Sequence, residues 1–87
     1  MNNNFHLKVV TPKGPALEED VLYALLPDER GFVGVLTNHA PFVISSPGGK
    51  MVLRLKDGQE KTYQIGAGFF EVAHNQAVFL AQSFQGV

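Results

Sequence analysis

Lys50-Met51-Val52-Leu53-Arg54-Leu55-Lys56-Asp57-Gly58 decides the fold class of this chain. Met51, Leu53 and Leu55 share one parity and Val52 and Arg54 the other, a period of two that an extended strand turns into opposite faces. Asp57-Gly58 then signals a reversal. A two-residue loop there would set Leu53 opposite Thr62 and Val52 opposite Tyr63, mixing the faces. A three-residue loop, Lys56-Asp57-Gly58, sets Met51 opposite Tyr63 and Arg54 opposite Glu60 instead. A slip of one residue exchanges the buried and exposed sets, so the core selects the second register. It also gives Gly58 the left-handed third position that such loops favour. The spacing predicts that loop.

The same alternation extends in both directions. Phe5, Leu7 and Val9 alternate with His6 and Lys8 until Thr11-Pro12-Lys13-Gly14-Pro15 stops the strand. Val21 to Leu26 is a nearly all-apolar run ended by Pro27-Asp28, the pattern of a strand buried on both faces. Phe42 to Ile44 is closed by Ser46-Pro47-Gly48-Gly49. Thr62 to Ile65, Phe69 to Ala73 and Ala77 to Ala81 follow, with His74-Asn75-Gln76 turning between the last two. No apolar period of 3.6 persists for three turns. Short strands with turn residues every ~8–12 positions predict an all-β unit, a sandwich or flattened barrel. No repeat, linker or low-complexity tract divides it, so residues 1–87 are expected to form one domain.

Composition narrows the function. Seven Lys+Arg against eight Asp+Glu leave the 87 residues nearly neutral. No basic stripe points to nucleic acid, and no polybasic segment points to lipid. The longest apolar run falls far short of the ~20 residues of a membrane-spanning helix. Met1-Asn2-Asn3-Asn4 lacks the features of a signal peptide. The chain has no cysteine, which removes disulfides and thiolate metal sites and fits a reducing compartment. A soluble cytoplasmic domain without direct membrane insertion is the expectation.

Candidate chemistry is sparse. His6, His39 and His74 are scattered, with no carboxylate at metal-ligand spacing; His6 and His74 read as exposed strand or turn residues. Ser45, Ser46 and Ser83 lack a nucleophile-elbow setting. Asp28 and Glu29 sit together in a turn. Gly31-x-x-Gly34 lacks the Lys-Ser/Thr of a phosphate loop and precedes no helix. No catalytic, cofactor-binding or metal-binding residue is therefore expected. Aromatic placement says more. Phe69 and Phe70 are consecutive in a strand, so one enters the core and the other needs the rim of the sandwich, a covering loop or a partner. Phe32, between two glycines at a loop tip, poses the same question.

Gly31-Phe32-Val33-Gly34-Val35-Leu36-Thr37-Asn38-His39-Ala40-Pro41 reads as a stiff, sharply bent loop. Gly31 and Gly34 permit positive φ, and Pro41 drives Ala40 into an extended conformation. His39 has two readings, a loop histidine bonded to nearby backbone or a recognition residue. Together with Ile65-Gly66-Ala67-Gly68-Phe69-Phe70-Glu71-Val72, this run resembles the epsilon subunit of rotary F-type ATP synthases. That family carries Gly-x-x-Gly-hydrophobic-x-x-x-His-Ala-Pro and a later Gly-Gly-hydrophobic-x-Glu-Val. The likeness covers nearly the whole chain, from Phe5 to Ala81.

The resemblance implies a flattened β-sandwich of about ten short strands at the foot of the central stalk, without catalysis or cofactor of its own. It implies two partners, the gamma subunit and the c-subunit ring, at the cytoplasmic face of the bacterial plasma membrane. By position, Gly31, Phe32, Gly34 and His39 would face the c ring or the base of gamma. Thr11 and the strand Phe42-Val43-Ile44 would lie toward gamma. Three departures stand out. Phe32 replaces an acidic residue common in relatives, and Pro47-Gly48-Gly49 replaces an x-Pro-Gly order. The chain also ends at Gln85-Gly86-Val87, where most relatives continue into two C-terminal helices. A natural short form without that helical domain is the expectation, and the helices' inhibitory and ATP-binding roles are not assigned. The alternative reading is a general β-sandwich module for a peptide or small ligand. An enzyme would need His39 paired with a buried carboxylate.

Overall fold

The computed structural model describes residues 3–86. Among them nine strands follow in chain order: β1 Phe5–Thr11, β2 Gly14–Asp28, β3 Gly31–Leu36, β4 Phe42–Ser46, β5 Gly49–Leu55, β6 Glu60–Ile65, β7 Gly68–Ala73, β8 Gln76–Ala81 and β9 Phe84–Gly86. The expectations attached to Met1-Asn2 and to Val87 lie outside the described residues.

Strand β2 belongs to both layers of the sandwich. Its first half pairs with β1, which runs parallel to β8, followed by β7 and β4. Its second half lies between β3 and β5, followed by β6 and β9. The change of layer falls where Val21 faces Leu55 but Tyr23 faces Arg54. Leu22 is the extra residue of a bulge, which bends a strand and shifts its facing pattern. Hence Val21, Ala24 and Leu26 are buried while Leu22, Tyr23 and Leu25 are half-buried. This corrects the expectation of a strand buried on both faces. Pro27 does not stop the strand either. It lies beyond Leu25, the last residue paired with β5, and its carbonyl accepts a hydrogen bond from Ser46 Oγ at 2.7 Å.

The inner faces of the two layers share one core. Phe5, Leu7, Val9, Phe70, Val72 and Phe79 come from the first layer, and Ala24, Leu26, Val35, Met51, Leu53 and Ile65 from the second. Burying each large side chain contributes roughly 1.5–3 kcal/mol, which a domain of this size needs to offset its conformational entropy.

The β5–β6 hairpin has the predicted register, with Met51 opposite Tyr63 and Arg54 opposite Glu60. Gly58 is left-handed at φ 92°. Its N–H donates to Leu55 O at 2.8 Å, and Leu55 N–H donates to Gln59 O at 2.7 Å. The β7–β8 turn is shorter than expected. Only His74 and Asn75 form it, at φ 51° and 60°, the two-residue geometry that suits the twist of a hairpin.

Residues Gly31–Leu36 form a strand where a bent loop was expected. Gly31 is left-handed at φ 123°, directly after the Glu29-Arg30 turn, and Gly34 is not. Gly34 instead leaves room for a ring: a Cβ there would stand 3.1 Å from Tyr23 Cε1. Phe32 therefore sits in a strand opposite Pro27 rather than at a loop tip. Strand β9, too short to announce itself in sequence, lays Phe84 on Tyr63 with ring centroids 4.9 Å apart.

Candidate functional site

The glycines of the downstream motif explain themselves by packing. A Cβ on Gly68 would run into the Leu80 carbonyl oxygen, and one on Gly66 would lie 2.6 Å from Ser83 Oγ. Gly48, at φ 85°, faces Ala67 N at 2.7 Å in the same sense. Three connections nest here, held by Gly66 N–H to Ser83 O at 2.8 Å and Gln82 N–H to Ala67 O at 2.9 Å. This anchoring fixes the register of β7. Phe70 turns inward beside Phe42 and Phe79 (5.9 and 6.1 Å between centroids). Phe69 turns outward and is 58% exposed.

The opposite end of that layer is tied by a pair of asparagines. Asn38, left-handed at φ 64°, donates its N–H to Asn75 Oδ1 at 2.7 Å and accepts from Asn75 Nδ2 at 3.0 Å. This brings the β3–β4 connection against the β7–β8 turn. His39 follows. Its N–H donates to Leu36 O at 3.3 Å, and its Nδ1–H donates to Ala40 O at 2.6 Å. The ring lies on Phe42 with centroids 4.5 Å apart. The backbone-bonded reading accounts for this geometry, and its ring hydrogen bond goes to a carbonyl rather than a carboxylate.

The eight sequence-selected residues do not converge on one spot. Thr11 holds the β1–β2 turn, donating to Gly14 O and accepting from Lys13 N–H, both at 3.2 Å. It lines a groove of about 350 Å³ with Lys13, Gln82, Ser83 and Phe84. His6, at the other end of β1, donates its N–H to Asn75 O. Thr11 and the His39 end are thus separated by the strand, roughly 17 Å at 3.3 Å per residue. Gly31, Phe32 and Gly34 lie on β3. Phe42 and Ile44 pack inward against the core, whereas Val43 points outward and is 62% exposed.

Exposed apolar side chains mark both outer faces. Phe32 and Leu36 share the outer side of β3 in the second layer; Val43, Phe69 and Leu80 stand on the first. Register aligns Ser45, Phe69 and Leu80 in one row and Val43, Glu71 and Val78 in the next. Phe69 and Leu80 are thus neighbours on this face, while Val43 stands beside Glu71 in the next row. Sequence reading passed over Leu36, Val43's isolation and Leu80. The signal for Leu36 was its shared parity with Phe32, visible once the segment is seen as a strand.

Beside the first face, His6 Nδ1 lies 2.9 Å from Asp20 and Nε2 lies 2.7 Å from Glu18. The sequence suggested an exposed strand histidine; the β1–β2 register makes it a half-buried bridge. Hydrogen bonds to Asp20 and then Glu18 raise its pKa above the ordinary 6.5, with burial opposing. Both ring nitrogens donate only in the imidazolium, so folding favours the protonated form. That stabilisation is complete below the unfolded value of about 6.5 and is lost as pH rises through the higher folded value. Unfolding midpoints measured from pH 5.5 to 8.5 should show this decline. His6→Gln should flatten it, and an unaltered decline would rule out the bridge as its source.

Both outer faces of this β-sandwich thus carry exposed apolar side chains. The chain belongs to the family described as ATP synthase, Delta/Epsilon chain, beta-sandwich domain, which it matches over residues 4–86. It is 37% identical over 78 residues to the ATP synthase epsilon chain of Chlorobaculum tepidum, covering 90% of this chain and 89% of that one. It is 34% identical to the sodium-ion-specific ATP synthase epsilon chain of Propionigenium modestum, covering 88% of this chain and 56% of that one. Among solved structures, a chain of the Euglena gracilis mitochondrial ATP synthase (OSCP, F1 and c-ring) superposes with TM-score 0.91 at 19% identity. That match spans 99% of this chain and 55% of the Euglena chain. A chain from the central stalk and c-ring of the Tetrahymena thermophila enzyme gives 0.76 at 13% identity, over 93% and 65%. At those identities the likeness is one of fold.

Proposed function

We infer that this protein is a non-catalytic rotor subunit of an F-type ATP synthase. It joins the gamma subunit to the c-subunit ring, so that ion-driven rotation reaches the catalytic subunits. Residues 1–87 act as one domain, held at the cytoplasmic face of the bacterial plasma membrane by these partners rather than by insertion. The observation that carries the reading is a family match along almost the whole sandwich coupled with apolar patches on two outer faces. Two separated surfaces suit a piece gripped by two partners.

A part that transmits torque has to resist piecemeal opening. Cross-strand ladders centred on one shared core open cooperatively. The β3 residues Gly31, Phe32 and Gly34, with His39 at the connection that follows, are assigned to the c ring or the base of gamma. Phe32, more than half exposed, makes that contact apolar. Thr11 and Val43 are assigned to gamma, with Phe42 and Ile44 holding Val43 from behind. Co-purification of the chain with the gamma subunit of its own organism is the test. A stable complex that Val43→Asp disrupts is the expected result, and failure of the wild-type chain to associate would overturn the reading.

A further inference from the structure

We propose that Glu71 is the charge key of the first layer's outer face, seating one lysine or arginine of the gamma subunit inside a rim of apolar contacts. The proposal rests on the stalk reading above. Packing accounts for the glycines of the downstream motif but leaves its acid without a role. Alternation along β7 buries Phe70 and Val72 and turns Phe69, Glu71 and Ala73 outward. Register then sets Val43 of β4 on one side of Glu71 and Val78 of β8 on the other. The four neighbours of this carboxylate on its face, two along the strand and two across, are all apolar.

Glu71 is exposed. The ion pairs of the described residues join His6 to Glu18 and Asp20, and Arg54 to Glu60; Glu71 is in none of them. The nearest cation along its row, Lys8, lies beyond Val78 and stands in register with Glu18. Val43, Phe69 and Leu80 are each more than half exposed, so the face is apolar at its rim and anionic at its centre. A wholly apolar partner would bury that carboxylate unpaired, at a heavy desolvation cost. A polyanionic partner would be repelled. Charge complementarity therefore specifies an apolar segment carrying one cation. Strand β4 is the edge of this layer, so Val43 bounds the face on that side.

The test measures binding of the whole chain to the gamma subunit of the same organism for wild type, Glu71→Gln and Glu71→Lys, with thermal melts of each. Glu71→Gln should weaken binding by about 30-fold or more, Glu71→Lys should abolish it, and all three should melt alike. Wild-type affinity should fall with added salt, and Glu71→Gln should lose most of that dependence. Wild-type affinity in both variants would overturn this proposal and leave the stalk reading standing. No binding by the wild-type chain would overturn both. If Glu71→Lys does not fold, the salt dependence of Glu71→Gln decides the question alone.

Discussion

Phe70→Ala should lower the unfolding free energy by about 3–5 kcal/mol, while Phe69→Ala, one residue earlier, should change it by about 0.5 kcal/mol or less. The two rings are chemically identical and adjacent. Phe70 is fully buried between Phe42 and Phe79, so its removal leaves a cavity that flanking strands cannot fill. Phe69 is 58% exposed, and its removal uncovers nothing that folding had hidden. Small domains have only about 5–15 kcal/mol in total, so Phe70→Ala comes near the limit of folding. Urea titration distinguishes the two, and equal losses would contradict the assigned faces. Phe69→Ala should act elsewhere, weakening association with gamma while the domain stays folded.

Gly68→Ala should destabilise on the order of 3 kcal/mol, the upper range for forcing atoms into a packed site. The sign is opposite to the usual one, since glycine within a strand ordinarily weakens it. Here the space of a methyl is occupied by the Leu80 carbonyl oxygen, a backbone atom held by the β7–β8 ladder. Relief would have to come from shifting β8, and with it the core positions of Ala77, Phe79 and Ala81. Gly86→Ala is the control, because an added Cβ there meets nothing within 4 Å. Similar melts for the two variants would refute the packing account of the Gly66-Ala67-Gly68 motif.

Legibility varied with the range of the interactions involved. The β5–β6 hairpin was readable because its three determinants are local: strand parity, an odd loop and a glycine at the left-handed position. The opposed faces of Phe69 and Phe70 followed from adjacency alone. Strand β3 was missed because Gly31 and Gly34 look like turn signals. One of them is a turn glycine; the other is a strand residue making room for Tyr23, eleven positions earlier. The double burial expected of Val21–Leu26 failed because a bulge at Leu22 has no composition of its own. Nothing in the chain order pairs His6 with Glu18 and Asp20, or Asn38 with Asn75; strand register does.

The sequence by itself determined the period of two, the hairpin register, the lack of a sustained apolar period of 3.6 and the family to which the chain belongs. These depend on residues within a few positions of one another, or on order along the chain. Tertiary structure alone decided which apolar residues remain outside, that Thr11 and His39 lie at opposite ends, and that Glu71 stands among valines and a phenylalanine. The reason is physical: a side chain's neighbours on a sheet come from other strands, and strand order and bulges are set by how two layers close over one core.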